Sequence, residues 1–305
     1  MAPRDMRMRV QGLAANRLRQ TRTSSCLQKL DRLRWTAALT GIAHGVRVGI
    51  RANTPAVLDD IEGRLPPGWA PRASSRVDCL YSIVVGDEAP RGGLRRFHLL
   101  YADAARLART NRMDEVLASF ETDVEWSVAA LAPKLVFVHA GVVGWQGRAI
   151  LVPGRSGSGK TRLVEAFVRA GATYYSDEYA ILDARGRVHP FARPLNRRTG
   201  EGALERITVA EIGGRAGTAP LEAGMILATR YEPGARWRPR RLSPGRATIE
   251  LLAHTLPARL RPAQSLAALS RVTRSALAFK GMRGEAEDVA RAVLTEDVFT
   301  RLSRP

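Results

Sequence analysis

The stretch Gly154-Arg-Ser-Gly-Ser-Gly-Lys160-Thr161 narrows the choice of fold more than any other feature of this chain. It has the spacing G-x-x-x-x-G-K-[ST], in which glycines let successive backbone N–H groups converge on phosphate oxygens. Such a loop works between a strand that delivers it and a helix whose positive N-terminal end faces the same anion. Both flanks are legible. Arg148-Ala-Ile-Leu-Val152 runs into the loop as an apolar strand. From Lys160 to about Ala170 the residues Leu163, Ala166, Phe167 and Ala170 share one helical face, and Gly171 closes it as a C-terminal cap. An α/β fold is therefore expected. Gly154, Arg155, Ser156, Gly157, Ser158, Gly159, Lys160 and Thr161 are the candidate phosphate-binding residues. Lys160 is of the type that neutralises β- and γ-phosphates, and the Thr161 hydroxyl of the type that ligates Mg²⁺.

An acid pair follows early. Asp177 comes 17 residues after Lys160, at the end of Ala172-Thr-Tyr-Tyr175, the first strand after the loop helix, and Glu178 is its neighbour. In a parallel α/β arrangement that strand end rises beside the loop. A carboxylate there holds Mg²⁺, directly or through water, or accepts a proton from an attacking hydroxyl. Asp177 and Glu178, with Thr161, are the candidate metal ligands. Two close carboxylates raise one another's pKa, and a bound cation opposes that shift. On the other side, Leu135-Val-Phe-Val-His-Ala-Gly-Val-Val143 reads as a buried strand, turned at Gly144-Trp-Gln-Gly147 into the strand that feeds the loop. It carries His139, which by pattern alone reads as a core histidine. His44, His98, His189 and His254 read as structural.

The chain has 305 residues and a formal net charge of +19, a value that invites a nucleic-acid reading. Only four of its 48 basic residues are lysines, and the charge is spread rather than gathered. A solvated basic surface is the better reading, and nucleic acid is not the expected partner. Cys26 and Cys79 make neither a metal-type spacing nor a disulfide framework. No run approaches the roughly 18 apolar residues that span a bilayer. A soluble, cytoplasmic protein without membrane association is expected.

Along the chain, residues 1–34 are Arg-rich and acid-poor and read as a mobile basic arm. Residues 35–132 read as a small α/β region. It has strands at Val46–Ile50, Leu80–Val85 and Phe97–Tyr101, a helix from an N-cap at Thr54 with Pro55 at its first position through about Arg64, and helices over 103–110 and 113–132. Residues 133–305 form the loop-bearing domain. After the acids come a hairpin over Tyr179–Val188, a strand near Met225–Thr229, Arg/Pro-rich loops at 231–246, and helices near 247–254, 263–273 and 285–303.

The order His139-Ala-Gly-Val-Val, glycine turn, Ala149-Ile-Leu-Val-Pro-Gly-Arg-Ser-Gly-Ser-Gly-Lys-Thr, helix, Gly171, then Ser176-Asp177-Glu178 and a hairpin resembles the catalytic domain of the HPr kinase/phosphorylase family. The resemblance is strong over roughly 135–190, weaker toward the C-terminus, and does not extend into 36–130. It implies a P-loop core akin to phosphoenolpyruvate carboxykinase, with ATP and Mg²⁺ as cofactors. It implies phosphorylation of a serine hydroxyl on an acceptor, either an HPr-like protein or a precursor peptide. It also implies Lys160 on the transferred phosphates, Asp177 as general base, and His139 as the residue that orients the acid pair. The family's paired acids are usually Asp-Asp, so Glu178 is one methylene longer. The family's Gly-rich segment after the hairpin has only a faint counterpart in Glu211-Ile-Gly-Gly-Arg215. Two other readings stay open: an ATP-binding regulatory or assembly protein without phosphotransfer, and a small-molecule kinase. Assembly into a homo-oligomer is compatible with all three.

Overall fold

Val46-Arg-Val-Gly-Ile50, with its alternating apolar residues, forms the centre of a strand in the computed structural model, which describes residues 29–86, 97–198 and 204–295. The chain divides between Pro133 and Lys134 into two units. In the first, β1 (Ala37–Ala43), β2 (Val46–Ala52), β3 (Trp69–Pro71), β4 (Cys79–Val84), β5 (His98–Ala102) and β6 (Ala105–Thr110) make one sheet in the order β3-β1-β2-β4-β5-β6. β1 and β2 form a hairpin turned at His44-Gly45, both left-handed at φ +51° and +84°, which matches the twist of its strands. β2 and β4 run parallel, so the chain between them crosses over through α1 (Ala56–Glu62). α2 (Met113–Leu131) buries Val116, Phe120, Val124 and Val128, a one-face spacing, and the Phe120 ring meets Tyr81 edge-on at 5.0 Å.

Several expectations for this unit need correction. Residues 103–110 are not helical: 105–110 are β6, paired antiparallel with β5 after a turn at Asp103. The good helix formers of Ala104-Ala-Arg-Leu-Ala-Arg109 yield to cross-strand pairing, since propensity is a weak prior against tertiary context. Thr54 is not the cap of α1; Pro55 occupies that position, and no side chain caps the helix. The basic arm ends sooner than residue 34. Its positions 1–28, Cys26 among them, lie outside the described residues, but Leu30 is buried, Asp31 pairs with Arg51 at 2.7 Å, and the Trp35 indole donates to the Leu30 carbonyl at 3.0 Å. Cys79 is buried in β4.

In the second unit, β7 (Val136–Trp145) and β8 (Arg148–Pro153) form the expected hairpin, turned at Gln146-Gly147 with φ +48° and +73°. The glycine-rich loop follows β8 and opens α3 (Lys160–Arg169). Gly171 sits at φ +99°, its N–H donating to Val168 O while Ala172 N–H donates to Phe167 O, so the last helical carbonyls are satisfied by a Schellman motif. β9 (Thr173–Ser176), β10 (Tyr179–Leu182), β11 (Arg187–His189) and the small ribbon β12 (Leu195–Arg198) with β13 (Leu204–Ile207) come next, then β14 (Leu221–Tyr231) and β15 (Arg240–Arg241). α4 (Pro244–Leu252) starts earlier than expected because Ser243 caps it and Pro244 fills its first turn. A 3₁₀ turn (Leu256–Arg259), α5 (Pro262–Ser275), β16 (Leu277–Arg283) and α6 (Ala286–Val293) complete the unit. The helix expected over 285–303 is therefore described only as far as Val293, and 296–305 lie outside the described residues.

The main sheet runs β11-β10-β7-β8-β14-β16-β15, with β8, β14 and β16 parallel. α3 and α6 pack on one face through Leu163, Phe167 and Val289 against Ile150, Val152 and Leu227. α4 and α5 pack on the other through Leu251, Leu269 and Val272 against Val138, Leu151 and Ile226. Strands covered on both faces read as continuous apolar runs, as Val136-Phe-Val and Ile150-Leu-Val do. The parallel strands all end at the edge where the glycine-rich loop begins. Among the described residues, no helix is long and apolar enough to cross a membrane.

Candidate active site

β8 is buried to Pro153 and hands the chain to the loop at Gly154. A side chain at Gly154 would meet Ser158 Oγ at 2.6 Å, so the loop folds onto itself where it starts. Gly157 and Gly159 hold φ of +80° and +82°, conformations that L-residues rarely adopt. Lys160 is buried, and its ammonium turns back to donate to the carbonyls of Gly154 at 2.9 Å and Arg155 at 3.0 Å. The loop is thus wound around its own lysine, with Arg155, Ser156 and Gly157 exposed at its crest.

Asp177 reaches this loop by a route the sequence does not suggest. β9 is not a parallel neighbour of β8: it pairs antiparallel with β7, and β7 stands between it and β8. β9 and β10 lie along the same edge of β7, interrupted by the bend at Asp177-Glu178. The flanking pairs, Ser176 with Val142 and Tyr179 with His139, put Asp177 opposite Gly141. Gly141 has no side chain to stand between Asp177 and α3, and a Cβ there would lie 2.5 Å from Val164 Cγ2. Through this gap Thr161 Oγ1 donates to Asp177 Oδ2 at 3.0 Å.

Asp177 is 5% exposed and takes further contacts from the Tyr174 hydroxyl at 3.1 Å and the Asn196 amide at 3.4 Å. Among the described residues no cationic side chain comes within ion-pair range of it. Burial, and then the charge of Glu178, raises its pKa above the usual carboxylate range, against the hydrogen bonds from Thr161, Tyr174 and Asn196. Burial also pushes the Tyr174 phenol well up, so this hydroxyl stays a donor. It lies 2.9 Å from the Arg193 carbonyl as well.

The second acid parts company with the first. Glu178 Oε1 lies 3.4 Å from His139 Nε2, so His139 meets Glu178 and not Asp177. The backbone of His139 joins two segments of the site: its N–H donates to the His254 carbonyl at 2.8 Å, and its carbonyl accepts from Gly154 N–H at 3.3 Å. His254 thereby enters the site, which the sequence reading did not foresee. Burial, then the charges of His139, Lys160 and Arg155, push it down to about 4, with Glu250 opposing, and so it is neutral near pH 7. Nothing in the sequence signals it, because a turn after α4 brings it to β7.

Arg197, in β12, is engaged with Glu165 at 3.3 Å and Glu205 at 2.8 Å. The faint counterpart Glu211–Arg215 packs behind α3: a side chain on Gly214 would lie 2.2 Å from Val168, and the Arg215 carbonyl accepts from Tyr174 N–H. Arg283, at the end of β16, is the other residue the sequence reading missed; it donates to the Gly159 carbonyl at 2.9 Å. Its only sequence signal is its place at the end of a strand in a chain full of arginines. Among the described residues, no group of three or more His, Cys, Asp or Glu side chains is arranged to hold a metal.

The site therefore sets amide donors and a lysine at a helix N-terminus against a buried carboxylate and a hydroxyl. That donor set suits a phosphate anion beside a hard cation that keeps most of its ligands from water and phosphate. No family model matches the chain, and no curated protein matches it.

Proposed function

We propose that this chain is an ATP- and Mg²⁺-dependent kinase of the HPr kinase/phosphorylase kind, phosphorylating a serine hydroxyl of a protein or peptide. The observation that carries this reading is the Thr161–Asp177 contact at the head of α3, with Asp177 buried and no cation paired with it among the described residues. A buried carboxylate without a countercharge is costly, and a divalent cation bound by Thr161 and Asp177 offsets that cost. When bound, Mg²⁺·ATP supplies the phosphoryl group and neutralises the charge that develops on it.

The chain's own residues then have defined tasks. The loop amides and the positive end of α3 receive phosphate oxygens. Lys160 exchanges the Gly154 and Arg155 carbonyls for phosphate, which its three donors permit. Asp177 takes the proton of the acceptor hydroxyl on a carboxylate oxygen, and a divalent cation held beside it would favour the charged form that this requires. Tyr174 and Asn196 fix that carboxylate. His139 and Glu178 line the adjoining edge, where His139 steadies Glu178. An HPr-like protein or a precursor peptide serves equally as the phosphoryl acceptor.

Wild-type protein and Asp177→Asn are incubated with labelled ATP, Mg²⁺ and candidate acceptors. Transfer by the wild type, lost in the variant while ATP binding persists, supports the kinase. Neither phosphoprotein nor ADP from wild type with any acceptor supports the second reading, an ATP-binding regulator. One observation favours that second reading: the segment 211–215 is packed behind α3, with Gly214 against Val168, and its described link to the site is the Arg215 carbonyl that accepts from Tyr174 N–H.

A further inference from the structure

Arg283 is 2% exposed, yet among the described residues no carboxylate lies within ion-pair range of it. Its Nη2 donates to the Gly159 carbonyl at 2.9 Å and its Nη1 to the Gly284 carbonyl at 3.0 Å. Its Nε is buried with no hydrogen-bond partner, and its guanidinium sits 5.4 Å from the Tyr231 ring centre. Glu285 and Glu287 act on it only from a distance.

Architecture does not call for a cation at this place. The Gly159 carbonyl already accepts from Leu163 N–H at 3.1 Å, as the first bond of α3. An apolar side chain would fill the end of β16 at lower cost, since a buried charge without a counterion is among the most expensive groups a fold carries. Room has nevertheless been kept for it: a Cβ on Gly159 would lie 2.5 Å from Nη2. A guanidinium does not shed its proton, so the charge is permanent.

We propose that Arg283 is a positioning residue of the phosphate site, whose buried charge is compensated by the polyphosphate of a nucleotide bound in the glycine-rich loop. The inference rests on the nucleotide-binding reading of the loop. By gripping the Gly159 carbonyl, Arg283 fixes the Gly159–Lys160 peptide, whose N–H points the opposite way, to the anion side. It also adds positive potential to that of Lys160 and the α3 terminus in a site of low dielectric. Among the described residues, Asp177 is then a buried acid of the site matched to a cation, and Arg283 a buried base matched to an anion.

The test is calorimetric titration of the full chain with inorganic tripolyphosphate, ATP, ADP and AMP, for wild type, Arg283→Met and Arg283→Lys. A lost charge-assisted contact predicts that Arg283→Met binds tripolyphosphate, ATP and ADP roughly tenfold or more weakly. AMP, which leaves the loop without a β-phosphate, changes little, and Arg283→Lys recovers part of the loss. Binding of all four ligands by Arg283→Met within about twofold of wild type overturns the proposal. So does an equal loss for AMP, which marks a merely structural role. If Arg283→Met does not fold, the tripolyphosphate-induced rise in melting temperature is compared between wild type and Arg283→Lys: a smaller rise in the variant supports the proposal, an equal rise overturns it. Wild type that binds none of the four overturns the nucleotide reading itself, an outcome distinct from failure of Arg283 alone.

Discussion

Val164 of α3 rests where a side chain on Gly141 of β7 would project, 2.5 Å from the position of its Cβ. The helix that opens at the glycine-rich loop therefore packs directly on the backbone that faces Asp177. Gly141→Ala must push α3 outward or bend β7, and such overpacking costs about 1–3 kcal/mol. Urea unfolding should show that loss. Retention of wild-type stability would mean that the gap is not tight.

Asp177→Asn should stabilise the ligand-free protein. An amide fits the existing contacts: its oxygen accepts from Thr161 and Asn196, and its NH₂ donates to the Tyr174 oxygen, whose own proton goes to the Arg193 carbonyl. The sign follows from the raised pKa of the acid. The wild type has no penalty below the unfolded value of about 3.9 and loses stability as pH rises from there through the higher folded value. Melting curves of the two proteins should thus coincide at acid pH and separate in favour of Asn toward neutrality. A less stable variant at pH 7 would contradict this.

Asp183 behaves oppositely. Burial alone would raise its pKa, but hydrogen bonds from His189, Arg187 and Arg185 prevail and hold it at about 2. A depressed acid stabilises above its unfolded pKa and loses that contribution as pH falls toward 2. The advantage of wild type over Asp183→Asn in thermal melting should accordingly shrink between pH 4 and about 2. It should be greatest near neutrality, where the β10–β11 turn has its full set of bonds.

His254 should remain neutral throughout the physiological range, with its ring protons titrating near pH 4. Ring resonances followed by NMR from pH 3 to 8, assigned with His254→Gln, check this. A midpoint above 6 would place the ring in solvent rather than beside Lys160.

Tyr174→Phe removes one hydroxyl and leaves the ring in the core. The loss of its bonds to Asp177 and the Arg193 carbonyl costs about 1 kcal/mol. Denaturant midpoints measure it, and an unchanged midpoint would show that neither bond contributes.

What was legible in the sequence was local. The loop, its feeding strand, α3 with its Gly171 cap and the β7–β8 hairpin follow from spacing and turn residues within thirty or so positions. Asp177 beside Thr161 was expected too, but through the wrong arrangement: β7 intervenes, and the contact depends on Gly141, whose role appears only when Val164 is placed against it. Residues 104–109 were misread because strand pairing outweighs helix propensity. His254 and Arg283 were invisible for a different reason. Each comes to the site through chain folding over more than a hundred residues, and neither sits in a pattern that marks it.

At His139 it is the backbone, not the imidazole, that binds Gly154 to the segment at His254. Any residue with an N–H and a carbonyl can serve as that tether. A replacement at this position consequently separates two questions that most site mutations confound. His139→Ala leaves the scaffold's joint intact, so whatever changes in that variant reports on the imidazole alone.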